Sequence, residues 1–356
     1  MDIVITVKRD TMPENRRSLI ALLAAPETSP SVLYGLYDVL YSVGAVFPDM
    51  TVGEPGPEAI EVRIVASDEK PFRCIGNIMI EPHAAISDID DPDIVIVCDM
   101  YTPIHTAPRG RYPRELAWLR RVHAGGTLVC SVCSGSLVLA EAGLLDGRAA
   151  AAHWAYADLF QSAYPKVTLL KDSVLCLAAE ADGVVTAGGV TAWQDLAIHL
   201  IARLCGKRKA CETAKVFLLS GHEDGQLPYA AMTHRNVSDA VVSGCQDWIG
   251  ANYATPNPVE RMAERSGLGH RTFARRFRAA TGYAPIDYVQ ALRMEEAKQL
   301  LETDDLGLDE VGVAVGYEDP ASFRRMFKRR VGLTPAAYRR KFRSIAFRAP
   351  PAQSAR

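Results

Sequence analysis

One stretch of this chain is written twice, and that repeat narrows what its C-terminal part can fold into. Residues 273–288 read FARRFRAATGYAPIDY, and residues 323–338, offset by 50, read FRRMFKRRVGLTPAAY. Phe273 matches Phe323, Phe277 matches Phe327, Gly282 matches Gly332, Pro285 matches Pro335 and Tyr288 matches Tyr338. A short helical pattern and a glycine turn, at Gly267 or Gly316, precede each copy, with one extra residue in the second turn. Two short helices around such a turn form a helix-turn-helix. The phenylalanines recur at i, i+4 and so share one helix face. Between the copies, residues 288–302 keep a helical period, with Val289, Leu292, Ala297, Leu300 and Leu301 on one face or its margin. This segment is expected to be a connector helix that holds the units at a fixed distance.

Charge separates this region from the rest. The chain has 356 residues and a net charge of −2. Residues 261–345 carry 17 Lys and Arg against 11 Asp and Glu, a net +6. Arg348 and Arg356 add to this in the tail, which leaves the first 260 residues at −10. A basic module on an acidic one points to a polyanionic partner for the basic part. Composition is 48% hydrophobic, ordinary for a globular chain, and no apolar run approaches the roughly 20 residues needed to span a bilayer. The opening MDIVITVKRDTMPENRR becomes charged where a signal peptide needs an apolar core, so a cytoplasmic protein with no membrane partner is expected. The eight cysteines sit mostly in apolar segments, as reduced buried thiols do. No second Cys/His pair stands at zinc spacing from Cys130 and Cys133, so neither a metal nor another cofactor is expected.

The doubled unit resembles the AraC/XylS family DNA-binding domain over roughly residues 238–342, through its repeat, its arginine-rich helices and its two G-x-x-P-x-x-Y closers. Gly312 departs from the pattern, which more often has an alanine-like residue there, and glycine inside a helix costs about 1 kcal/mol. With the phenylalanines turned inward, Arg271, Ala274 and Arg275 in the first copy and Ser322, Arg324 and Arg325 in the second point outward. An outward arginine can clamp guanine O6 and N7. Arg276, Arg278, Lys328, Arg329 and Arg330 flank that face and suit phosphates, which fix register without reading sequence. Taken singly, each is also readable as a solvated basic residue. Two such units on one chain can enter successive major grooves about 34 Å apart.

The N-terminal part alternates differently. Residues 3–7, 62–66, 94–98 and 127–132 are short β-branched runs, with helical patterns at 31–43, 115–124, 136–142 and 195–204 between or after them. Such alternation predicts a parallel sheet flanked by helices, a flavodoxin-like α/β domain. Residues 127–139, TLVCSVCSGSLVL, run an apolar strand into Cys133 and open a helix at Ser134-Gly135. A cysteine on such a turn resembles a nucleophile elbow, where the helix N-terminus would lower the thiol pKa. The turn, the stretch 140–154 ending in His153 and Trp154, and residues 185–201 resemble the class I glutamine amidotransferase-like superfamily with its intracellular-protease-like members. In those relatives the matching histidine lies beside the cysteine.

The hydrolytic members complete that pair with a carboxylate. Here Val32 and Leu33 stand where a glutamate would be expected, Asp38 falls a turn late, and the loop that usually supplies an oxyanion hole reads Cys98-Asp99-Met100-Tyr101. Catalysis is therefore not expected; Cys133 and His153 are vestigial candidates. The expected ligand site is Cys133, Ser134, His153, Trp154 and Tyr101, with an aromatic face that suits a cation. Three alternatives stay open: an active cysteine hydrolase or glyoxalase-type domain, a redox sensor at Cys133 with Cys130 resolving it, and a plain helix cap.

Residues 206–237, with Gly225-Gln226-Leu227-Pro228-Tyr229, resemble the junction of the subgroup that joins these two domains. The implied order is a sensor over 1–205, a linker over 206–237, a DNA-binding domain over 238–345 and a flexible tail over 346–356. What the resemblance implies is a regulator, more an activator than a repressor. Its partners would be promoter DNA, a small-molecule effector (amino-acid-like or quaternary amine compounds are common among its members), a second copy in a homodimer, and RNA polymerase.

Overall fold

The computed structural model describes residues 16–231 and 239–346. The chain divides into two compact units that part between Gln226 and Leu227.

In the first unit seven strands form one sheet. Ser18–Leu23 lies near its middle, in parallel register with Ile60–Ala66 on one side and Ile94–Val97 on the other. Leu128–Val132 and Val184–Ala187 continue the sheet beyond Ile94–Val97 in parallel, and Leu175–Cys176 closes that edge antiparallel. Ala84–Ala85 closes the other edge, beside Ile60–Ala66. Strands buried on both faces read as continuous apolar runs. Side chains alternate between two cores. Ile20, Leu22, Ile94, Ile96 and Cys130 face one core, with α1 (Pro30–Tyr41) and α6 (Trp193–Phe217); α2 (Val46–Val52) follows α1. Leu23, Val95, Val97 and Val129 face the other, with α3 (Pro113–Ala124), α4 (Gly135–Glu141) and α5 (Ala157–Ala163). This is the expected parallel sheet with flanking helices.

The expected strand 3–7 lies outside the described residues. The strand beside Ile60–Ala66 is Ser18–Leu23, whose Leu and Ala content carries little strand signal. The last apolar helix ends where expected, at Gly206, whose φ of 84° is not helical; what the sequence did not show is the second helical stretch that follows it through the charged segment to Phe217 and buries Ala210 and Thr213. Too few apolar residues mark that face for periodicity to reveal it.

The second unit is all helical: α7 (Ala240–Asn252), α8 (Pro258–Ser266), α9 (His270–Thr281), α10 (Pro285–Thr303), α11 (Leu308–Ala314), α12 (Pro320–Val331) and α13 (Pro335–Ala346). It has two cores. Phe273 and Phe277 pack with Met262, Tyr288, Val289 and Leu292 in one. Phe323 and Phe327 pack with Val311, Met294, Ala297, Leu301 and Tyr338 in the other. Helix α10 thus feeds both cores, as a connector should. Its Arg293 is buried; its guanidinium donates to the Tyr253 carbonyl (2.8 Å) and the Thr255 carbonyl (3.3 Å) beside the first core, and lies over the Tyr317 ring beside the second. Among the described residues, no helix is long and apolar enough to cross a membrane.

Candidate functional site: a cysteine turn and a double DNA-reading surface

The strand Leu128–Val132 ends in Cys133, whose φ of 56° lies in the left-handed region. For a non-glycine residue that conformation stores strain, which clusters at functional turns. The backbone is held there by a bond from the Cys133 amide to the Ala187 carbonyl at 2.9 Å. Next comes α4, and its first residue, Gly135, is a matter of space. A Cβ there would sit 2.5 Å from the Val97 carbonyl oxygen and 2.8 Å from that of Cys98. The elbow shape is therefore present in full.

Its chemistry differs from the expectation. Burial first, then the charge of Asp99 and a hydrogen bond to its carboxylate, push the Cys133 thiol well above its ordinary value. The expected lowering by the helix N-terminus is overturned; α4 has only seven residues, and the thiol is 4% exposed. A carboxylate does stand beside the thiol: Asp99, 6% exposed at the end of the neighbouring strand. Its carboxylate accepts from the Ser134 hydroxyl, from the Ser134 amide at 3.3 Å and from the Ser29 hydroxyl at 2.6 Å. The C-terminal edge of a parallel sheet is where open α/β folds place their ligand groups. A buried polar residue at a strand end was the signal available.

Ser134 is fully buried and its hydroxyl also accepts from the Met100 amide at 2.9 Å, so it fixes the loop 99–100. Beside this lies the segment 151–154. The Ser136 hydroxyl donates to the Ala151 carbonyl (2.9 Å), and the Ala151 amide donates to the Thr186 hydroxyl (2.7 Å). His153 is half-buried, its Nδ1 accepts from the Ala155 amide at 3.2 Å, and burial lowers its pKa while the Asp99 charge works in the opposite direction. No hydrogen bond joins His153 to Cys133 among the described residues. The His153 ring lies 5.0 Å from that of Trp154 and 6.3 Å from that of Tyr156. Tyr156, missed in the sequence, is buried and donates to the Thr102 carbonyl at 2.7 Å. Tyr101 is 59% exposed. Gln226 was also missed as a contact: it accepts from the Trp154 amide at 3.2 Å and donates to the carbonyls of Ala152 (3.0 Å) and Ser173 (2.8 Å). Cys130 is wholly buried, which pushes its thiol up as well.

In the second unit the helices expected to read DNA are α9 and α12. On α9, Arg271, Arg275 and Arg278 are exposed and Ala274 is half-buried. Arg276 is exposed too, but its guanidinium donates twice to Asp239, the N-cap of α7, at 2.7 and 3.0 Å. On α12, Ser322 is half-buried and donates to Asp319 at 2.6 Å, while Arg324 pairs with Asp309. Arg325 donates to the Ser322 hydroxyl at 2.9 Å and lies 3.8 Å from the Asp319 carboxylate. Lys328 and Arg329 are exposed, and Arg330 pairs with Asp287 at 2.7 Å.

An α/β unit with a cysteine elbow and a unit of two helix-turn-helix motifs define a DNA-binding regulator with an added sensor-type domain. Residues 43–203 match the DJ-1/PfpI family and residues 262–341 a helix-turn-helix domain. The chain is 28% identical over 304 residues to the HTH-type transcriptional regulator CdhR of Pseudomonas aeruginosa, covering 84% of this chain and 88% of that one. It is 28% identical over 228 residues to the HTH-type transcriptional regulator GlxA of Rhizobium meliloti, covering 63% and 68%. It is 33% identical over 190 residues to isonitrile hydratase of Pseudomonas putida, covering 52% of this chain and 72% of that one. The chain belongs to the AraC-type transcriptional regulators that carry a DJ-1/PfpI domain ahead of the helix-turn-helix domain.

Proposed function

We propose that this protein is a cytoplasmic activator that binds promoter DNA through both helix-turn-helix units and responds to a small-molecule effector held by its first domain. The reading rests above all on α9 and α12, which bury their phenylalanines and keep their arginines at the surface. Arg271, Ala274, Arg275, Ser322, Arg324 and Arg325 face the bases; Arg276, Arg278, Lys328 and Arg329 serve the phosphates. The protein acts as a homodimer through its first domain and engages RNA polymerase at the promoter. The domain order of sensor, junction and reader belongs to the same proposal.

Selection of duplexes from a random pool by the full chain tests the DNA half. The expected product is a two-part motif with half-sites about one helical turn apart. A single short motif would overturn the two-reader arrangement.

The effector sits against Tyr101, His153 and Trp154, over a floor of Cys133 and Asp99, with Ser134 acting from beneath by fixing Asp99. Turnover is not part of the proposal. Asp99 favours a hydrolase reading, since it sets a carboxylate beside the thiol, but a buried thiol with a raised pKa is a poor nucleophile. The same burial of Cys133 and Cys130 counts against oxidation as the input. Native alkylation with iodoacetamide at pH 7.5, read by mass spectrometry, decides the point. Exposed Cys211 should be labelled well before Cys133. Rapid labelling of Cys133 would restore the enzyme or redox reading.

A further inference from the structure

The segment that leaves the first unit is fastened at both ends. At Gln226 the side-chain amide is 4% exposed and makes all three of its bonds to the first unit, to Ala152, Trp154 and Ser173. Its backbone amide adds a fourth, to the Asp172 carbonyl at 2.9 Å. The seat is shaped for it, because a Cβ on Gly188 would overlap the Gln226 amide nitrogen. Just upstream, His222 is tied to Asp195 by its ring (2.6 Å) and by its backbone amide (3.0 Å). Three residues beyond Gln226, Tyr229 belongs to the second unit. Its ring meets Phe342 of α13 edge-on at 5.2 Å, and the Lys341 ammonium lies 5.2 Å from its centre. Ala230 accepts from Lys298 of α10 at 2.8 Å, and that lysine is buried. Leu227 and Pro228 are all that separate the two fastenings.

We infer that Gln226 is a positioning residue that couples the His153–Trp154 segment to the second helix-turn-helix through the strap 226–230. This rests on the effector reading above, because that segment is where the effector would lie. The physical reason is that the loop has no side chain of its own on the Ala152 carbonyl and the Trp154 amide. Both are satisfied by Gln226, so any shift of the loop that loses those bonds leaves the buried Ala152 carbonyl and the part-buried Trp154 amide unpaired unless the strap shifts as well. Only two residues lie between Gln226 and Tyr229, so the proposed route from one fastening to the other runs along the chain itself. Coupling between sites is reciprocal, so the second unit's state must also be felt at residues 152–155.

That reciprocity gives a test that needs no effector. Hydrogen–deuterium exchange of the full chain is followed by mass spectrometry with and without a duplex taken from the random-pool selection. In the wild type, the duplex should change exchange at residues 152–155 by roughly fivefold or more, the low end of ordinary coupling. Gln226→Ala should abolish that change. Gly188→Ala, which displaces the amide without altering the strap, should do the same, and Tyr229→Ala should abolish it from the other end. Circular dichroism and duplex binding establish that each variant is folded. If Gln226→Ala fails to fold, the Gly188→Ala and Tyr229→Ala arms decide. An unchanged 152–155 signal in the wild type, or a signal that survives these substitutions, overturns the coupling. Neither result bears on whether Tyr101, His153 and Trp154 hold an effector; a melting shift lost on Trp154→Ala tests that separately.

Discussion

The two helix-turn-helix copies share an interior and differ in their surfaces. In both, two phenylalanines on the recognition helix meet a tyrosine from the following helix, Phe277 with Tyr288 at 5.4 Å and Phe327 with Tyr338 at 5.5 Å between ring centres. Outside, α9 presents Arg271, Arg275 and Arg278 with no acidic partner among the described residues, whereas α12 holds Arg324 and Arg325 against Asp309 and Asp319. The caps differ as well: Gly269 precedes α9 and offers no side chain, while Asp319 accepts from the Ala321 and Ser322 amides at the start of α12. Packing tolerates little change once an interior is filled, while surface charge is free to diverge. On the DNA contacts proposed above, the first copy should supply salt-sensitive attraction, and the second arginines held in one orientation before DNA arrives.

The largest effect should come from the shared interior. Phe277→Ala and Phe327→Ala should each cost about 3–5 kcal/mol by denaturant titration of the full chain. Because the cores are separate, the double variant should be close to additive. Strong non-additivity would mean that α10 makes one cooperative core of the two.

Next come the readers. Arg275→Ala and Arg325→Ala should each relax base preference by about 1–3 kcal/mol, at different positions of the selected motif. Uniform weakening at all positions would reassign that arginine to phosphate.

Smaller still is the effect of releasing Arg325. Asp319→Asn keeps a competent N-cap but removes the charge, so duplex affinity should fall more steeply with salt, by up to about one in the slope. Its pH signature has a fixed sign. The Ser322 hydroxyl first, then the Ala321 and Ser322 amides, hold the Asp319 carboxyl below the usual range. Its contribution is therefore complete above the ordinary carboxylate pKa and fades as pH falls through the lowered value. The difference in melting temperature between wild type and Asp319→Asn should shrink over that acid range; a constant difference would remove the carboxylate from the account.

The smallest effect concerns Gly312, which stands where the first copy has Ala263. A Cβ on Gly312 would lie 3.0 Å from the Phe323 ring. Gly312→Ala should therefore fail to give the gain of about 1 kcal/mol that this exchange normally brings inside a helix. The full gain in a denaturant titration would show that Phe323 can move aside. The glycine thus permits close approach of α11 to α12.

What the sequence made legible follows the reach of each interaction. The doubled interior was readable because its aromatics recur at fixed spacing within each copy. The cysteine turn was readable because strand, Cys133 and Gly135 are consecutive. Asp99 was not, because the residue it meets, Ser134, is 35 positions away and only strand adjacency brings them together. For the same reason a local rule about helix N-termini gave the wrong sign for the Cys133 thiol: burial and a carboxylate from the next strand outweigh a two-turn helix. Gln226 was visible as part of a motif, but its partners at 152, 154 and 173 belong to loops that only the folded sheet assembles.

Arg293 has a consequence for the DNA this protein can share its history with. One buried guanidinium binds the backbone beside the first helix-turn-helix and covers a ring beside the second, so on the two-reader proposal the pair should behave as a caliper and not as beads on a string. A single base pair inserted between the half-sites would turn one of them about 35° around the duplex axis, out of reach of its reader. Target promoters can then drift by substitution within each half-site, but insertions and deletions between the half-sites are closed to them, and every site in the regulon should keep one spacing.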